Sequence, residues 1–292
     1  MAKNIFSGLE NLGFDNIDDM SLYKKKEEEA ESDTNKDAKE QLNPAALLYD
    51  RTVVCPVCGN TYKAKAVKTS SYRIVKKHSD FFIDYSVINP YFYDVWLCNV
   101  CGYAAMKADY NKVREIQKEN IQKTISLKWH GRTYPEVYDV NIAIERYKLA
   151  LLNYTVMEAD SSKKAMACLK IAWMYRILND SDTEMIFLEK ALEGFNYAYS
   201  NERFPIYNMD KYTLMYLIAE LNRRTGNYDE ALLWFSNVIT TVGVEQKLKE
   251  KARDQKDLIR EKLQQKGNID NQNQDIASSE APKKKGFFSR FF

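Results

Sequence analysis

Four of the five cysteines fall in two short elements, CPVCG at residues 55–59 and CNVCG at 98–102. Two residues between cysteines let one tight turn aim both sulfurs at a single ion. The glycine that follows each pair, Gly59 or Gly102, permits backbone geometry that a side chain would hinder. Two such turns supply four soft ligands, Cys55, Cys58, Cys98 and Cys101, which suits one structural zinc ion held as a tetrahedron. The 39 residues between Cys58 and Cys98 leave room for a hairpin and a connecting strand, far more than a minimal finger needs. Each pair alone also fits a redox dithiol, but neither sits in a strand–CxxC–helix context. An iron–sulfur centre is compatible with four thiolates, although the wide separation of the pairs favours zinc. Four sulfurs leave no open position for water, which disfavours zinc-activated hydrolysis.

Little else in the chain reads as catalytic. Histidine occurs only twice, as His78 in RIVKKHSDFF and His130 in KWHGRTYP. The tetrahedron is full without them, so surface or supporting roles are expected. Cys168 lies among apolar residues at helical spacing and reads as a core cysteine. Asp84 and Asp94 sit in an aromatic-rich stretch, where hydrogen bonding within the aromatic cluster is the simpler role. No GxGxxG, GxxxxGK, GxSxG or HExxH is present, and no enzyme is expected. Lys63, Lys65, Lys68, Arg73, Lys76 and Lys77 form a basic cluster, with Tyr62 and Tyr72 as rings that could stack on bases. A net charge of +2 makes the general electrostatic attraction to nucleic acid weak. Nucleic-acid binding is therefore the lesser alternative, with a solvated strand face favoured.

The elements that must position these residues change character along the chain. Residues 1–43 include KKKEEEAESDTNKDAKE, which has almost nothing to bury and reads as a flexible charged segment. Residues 44–110 are rich in β-branched and aromatic residues broken by turn signals, as in TVVCPVC, YRIVKK, FFIDYSVI and YDVWLC. They read as a small zinc-ribbon-like β module, with the rings of 81–96 packed on neighbouring helices. From residue 111 the apolar period becomes helical. Helices are expected to about residue 127 and over 136–159, 162–179, 182–200, 209–225 and 228–240. Residues 246–266 extend this as a charged helix, and 267–292 read as a disordered tether with an amphipathic tail. The fold class expected is α+β: a small β module followed by an all-α, tetratricopeptide-like helical repeat domain over 111–245.

The repeat reading rests on small residues at close helix crossings. In MYLIAELNRRTGNYDEALLWFSNVI these are Ala219 and Ala231, with Gly226 ending the first helix and Asn227 capping the second only loosely. Tyr228 fills the turn, and Phe235 and Val238 face inward. A weaker copy places Ala172, Tyr175, Leu188 and Ala191 at matching offsets. Ala172 and Ala219 are 47 residues apart. A tandem repeat of this kind has a period of about 34, so the first unit must carry a longer second helix and an insertion. Such an array offers a groove for an extended peptide or a helix, with Asn141, Arg146, Asn222 and Arg223 as candidate polar groove residues.

The terminal KKKGFFSRFF combines Lys283, Lys284 and Lys285 with Phe287, Phe288, Phe291 and Phe292. In a helix the four rings share one broad face, suited to an anionic membrane surface or to a protein partner. The N-terminus lacks the apolar core of a signal peptide, so the cytoplasm is expected, with the tail giving a peripheral reading at the inner face of the cell membrane.

The segment 48–58, INPYFYDVWLCNVCGYAA and RYKLALL at 146–152 together resemble a bacterial family frequent in Firmicutes, domain of unknown function 2225. The resemblance covers roughly residues 40–240 and supports the architecture without implying an activity. The leading functional reading is a non-enzymatic zinc-containing adaptor that binds protein through its helical groove. A nucleic-acid-binding zinc ribbon and an enzyme of unrecognised class are the alternatives.

Overall fold

The computed structural model describes residues 43–279. The charged segment up to residue 42 and the basic–aromatic terminus at 283–292 lie outside the described residues. The chain folds as a strand module followed by helices, the mixed α+β class that its patterning predicts.

Strands β1 (Leu48–Val54) and β2 (Thr61–Val67) form an antiparallel hairpin that closes at Val54↔Thr61. Strands β3 (Ile74–Lys77) and β4 (Ile83–Tyr85) form a second hairpin, irregular between Ile74 and Lys76. Strands β5 (Val95–Leu97) and β6 (Ala104–Met106) form a third, closing at Leu97↔Ala104. Among the described residues there are three sheets, each of two strands. Such small sheets are marginal alone and need packing or a cross-link. Here β5 and β6 are buried on every residue, against helix α2 (Val140–Val156).

Helix α1 (Glu115–Ile121) runs on into a π-helical turn, Gln122–Ser126, so the helix expected to residue 127 changes its winding partway. Helix α2 starts later than expected because Asp139 caps it, accepting from the Ile142 amide at 2.8 Å. Eleven of its residues are buried, so it shows no clean polar face. Lying between the strand module and α3 (Ser161–Ile177), it is covered from both sides. Helices α3 and α4 (Ser181–Asn201) form one antiparallel hairpin, and α5 (Lys211–Arg224) and α6 (Tyr228–Thr240) another. Both hairpins turn through the left-handed region, at Asn179 (φ 56°) and Gly226 (φ 82°).

Ala172, Ala191, Ala219 and Ala231 are fully buried, as helix-crossing residues must be. Helix α4 has 21 residues against 13 in α6, and a connector precedes α5. Those features lengthen the spacing between the two hairpins. Helix α7 (Gln246–Ser279) packs on α6 through Ala252 and Ile259. It exceeds the 246–266 span expected and takes in residues read as tether, where no proline interrupts the chain before Pro282. Among the described residues no helix is long and apolar enough to cross a membrane.

Candidate metal centre

The two cysteine turns are built alike. In the first, the Gly59 amide donates to the Cys55 carbonyl at 2.9 Å and the Cys55 amide to the Asn60 carbonyl at 2.8 Å. In the second, Gly102 donates to Cys98 and Cys98 to Tyr103, both at 2.9 Å. Gly59 and Gly102 take φ of 74° and 73°, the region where a side chain is strained. Each turn sits at the tip of its hairpin, so the ladders of β1–β2 and β5–β6 aim the two pairs of sulfurs at each other.

The four ligand sulfurs lie within 4.8 Å of one another. The Cys55–Cys101 and Cys58–Cys98 sulfurs are each 3.6 Å apart. A zinc–sulfur bond of about 2.3 Å gives a tetrahedral sulfur–sulfur edge of about 3.8 Å, while a disulfide requires about 2.05 Å. The four cysteines are free thiols, three buried and Cys58 exposed. This donor set and spacing fit a four-thiolate ion site, with no disulfide needed to hold the hairpins. Among the thiols alone, hydrogen bonds from Cys101 and Cys98 hold Cys55 at about 3, while the bonds to Cys55 and Cys98 push Cys101 up. A cation that takes the place of the shared protons releases them on binding.

The surroundings of the turns come from well beyond the CxxCG elements. The side-chain amide of Gln122 donates to the Val57 carbonyl at 3.1 Å, and the Ser126 hydroxyl to the Cys101 carbonyl at 2.8 Å. Both residues lie in the π turn after α1. The Trp129 indole donates to the Asn99 carbonyl at 3.0 Å, and Asn153 on α2 to the Gly102 carbonyl at 3.2 Å. Tyr62 donates to the Tyr110 hydroxyl at 2.9 Å. Burial first, then the Tyr62 phenol and the bond to Cys55, push the Tyr110 hydroxyl well up, so it stays a donor beside that sulfur. None of these groups has a sequence signal of its own, because turns, π winding and tertiary packing assemble them.

The other candidates scatter. His78 pairs with Asp84 at 2.7 Å, away from the four sulfurs, and His130 is exposed. Cys168 is buried, and burial pushes its thiol up, as a core cysteine requires. Asp84 and Asp94 are part-exposed rather than buried; Asp94 pairs with Lys170 at 3.3 Å. Of the basic cluster, Lys65 pairs with Asp50 and Glu136 at 3.1 and 3.0 Å, Lys63 bonds Thr52, and Lys68 and Arg73 bond backbone carbonyls. Lys65 is thus the member shown with acidic partners, while Lys63, Lys68, Arg73, Lys76 and Lys77 are exposed.

Among the described residues the acids that are truly buried are Asp80, Asp109 and Glu220. Asp80 accepts from Trp173 at 3.1 Å and from Arg176 at 2.7 Å, with Arg224 at 3.5 Å. Glu220 accepts from Ser79 at 2.6 Å and binds Arg223 and Arg224, each at 2.7 Å. Residues 79–82 thus leave the strand module and seat against α3 and α5. The rings follow, with Phe82 5.5 Å from Trp173 and Phe81 5.6 Å from Tyr216. The strand module itself therefore fills part of the helical face that the sequence offered as a groove. Arg146 is buried and donates to the Val95 carbonyl at 2.6 Å, and Asn222 is buried on its own helix. Arg223 is held by Glu220, so of the groove residues Asn141 alone is exposed.

A family model described as "uncharacterized protein conserved in bacteria (DUF2225)" matches residues 48–259, the span from β1 to the buried part of α7. The chain belongs to the DUF2225 family. The match takes in both cysteine turns and every helix that packs on them. No curated protein and no solved structure gives a significant match. The tetratricopeptide resemblance expected from the residue pattern of this DUF2225 chain is not confirmed by these comparisons.

Proposed function

We propose that this DUF2225 chain is a non-enzymatic adaptor in which one structural zinc ion clamps a strand module onto helical hairpins that bind protein. One observation carries the reading. The backbones of both cysteine turns are bonded to Gln122, Ser126 and Asn153, so the metal site braces helices instead of facing a cleft. Four sulfurs complete the shell of a tetrahedral ion, and zinc is the ion that such a shell suits. With residues 79–82 seated on the inner helical face, the exposed side of the hairpins is the surface left for a partner. Tyr197 on α4 and Leu233 on α6 are 58 and 56 % exposed there. The basic–aromatic tail would bring this assembly to the inner face of the cell membrane, with a cytoplasmic body.

A photocrosslinking residue at Tyr197 or Leu233, with one at Val75 on β3 as control, tests the reading in cells. The expected result is one partner captured from the helical positions that re-forms a saturable complex when both proteins are purified. Capture from Val75 alone, or release of the complex by nuclease, would overturn it in favour of the strand module or of nucleic acid.

A further inference from the structure

A cavity of about 390 Å³ lies where the strand module meets the helices. Phe81, Tyr91 and Met106 line it from the strand module, Met166 and Trp173 from α3, and Leu217 from α5. Sites for small molecules are commonly of this size and apolar character, and commonly lie at such junctions. Two of its aromatic walls are held in backbone conformations that bulky residues rarely adopt: Phe81 at φ 68° and Tyr207 at φ 47°. The Tyr207 hydroxyl donates to Asp109, which Tyr154 also bonds, so its ring is fixed in place. Unfavourable conformations held by surrounding contacts are typical of ligand clamps.

The charges select the ligand. The Lys170 ammonium is 3.3 Å from Asp94 and lies over the rings of Tyr91 at 4.2 Å and Trp173 at 5.1 Å. The place a cation would take against those rings is already filled from within the chain. An anion would have to compete with Asp94 for Lys170. A neutral ligand meets neither obstacle, and Asp94 is an acceptor at the cavity wall. We propose that this cavity binds a neutral, mainly apolar small molecule with one hydrogen-bond donor, its body between Phe81, Tyr91, Met166 and Leu217 and its donor on Asp94. The site stands apart from the adaptor reading and survives its failure.

N-phenyl-1-naphthylamine, a neutral probe with a single N–H donor, tests this on the full chain. Its fluorescence is expected to saturate at one probe per chain. Its sulfonated relative, 8-anilinonaphthalene-1-sulfonate, is expected to bind at least tenfold more weakly. Ala108 lines the cavity and is exposed, so Ala108→Trp blocks it with little repacking; Thr213→Phe does so from α5. Each should weaken the neutral probe at least tenfold without changing the melting temperature. On the wild-type chain, bound probe should slow amide exchange in residues 79–82 and 205–209. Non-saturating binding, tighter binding of the sulfonate, unchanged affinity in folded variants, or no protection in those two segments would each overturn the proposal.

Discussion

Gly59 and Gly102 share a backbone conformation and differ in what stands beside them. A side chain at Gly59 would meet nothing within 4 Å, whereas one at Gly102 would stand 2.8 Å from the Trp129 ring. Gly59→Ala should therefore cost only the conformational term, about 1–2 kcal/mol. Gly102→Ala adds a collision with a packed indole and should cost roughly 2–4 kcal/mol. Denaturant melts of the two variants give the comparison, and equal losses would remove the role assigned to Trp129. Cys98→Ser acts on the ion itself. The wild-type chain should carry about one zinc by elemental analysis, and the variant should lose it together with the order of the strand module. A stable, cooperative melt in the zinc-depleted chain would sink the structural role of the ion. At this scale the ligands were legible because spacing alone assembles a CxxCG turn. Tyr110, Gln122, Ser126 and Asn153 were not, since nothing local announces which carbonyl or sulfur a distant side chain will reach.

Residues 79–82 join the two halves of the molecule, and the connection is ionic as well as aromatic. Burial alone would push the Asp80 carboxyl up, but Arg176 and Arg224 outweigh it and hold it below the ordinary carboxylate range. The native chain thus takes up this proton less readily than the unfolded chain. The resulting stability is complete above the ordinary Asp range and is lost as pH falls through the lowered native value. Asp80→Asn should flatten that acid limb in a series of melts at decreasing pH. Asp80→Ala, which takes one of two carboxylate partners from the half-buried Arg176 and Arg224 and leaves them Glu184 and Glu220, should cost about 1.5–3 kcal/mol at neutral pH. A limb unchanged in Asp80→Asn would assign the acid sensitivity to another group. The strands and helices were readable from their periods because each buries one face locally. The docking of this loop was not, because its polar residues meet their partners more than ninety positions away, Arg176 for Asp80 and Glu220 for Ser79.

The described residues close with the long helix α7, whose burial is uneven over the part that faces α6. Ala252 and Ile259 are buried against α6, and Lys256 donates to Ser236 at 2.8 Å. Truncation after residue 245 should lower the melting temperature, since burying one isoleucine side chain alone stabilises by about 1.5–3 kcal/mol. Truncation after residue 266 should leave the melting temperature unchanged, because it spares all three contacts. The tail beyond is then separable from folding, and this permits a clean test of membrane contact. Three lysines near a surface of anionic lipid contribute roughly 1 kcal/mol each, and four phenylalanines add apolar insertion. The intact chain should co-sediment with vesicles containing phosphatidylserine and less so as salt rises. Removal of residues 283–292 should abolish co-sedimentation at an unchanged melting temperature. Replacing Lys283, Lys284 and Lys285 by Gln should remove the salt dependence and leave a weaker, apolar remainder. Equal sedimentation of the intact and shortened chains would reject the membrane role and leave protein docking as the tail's use.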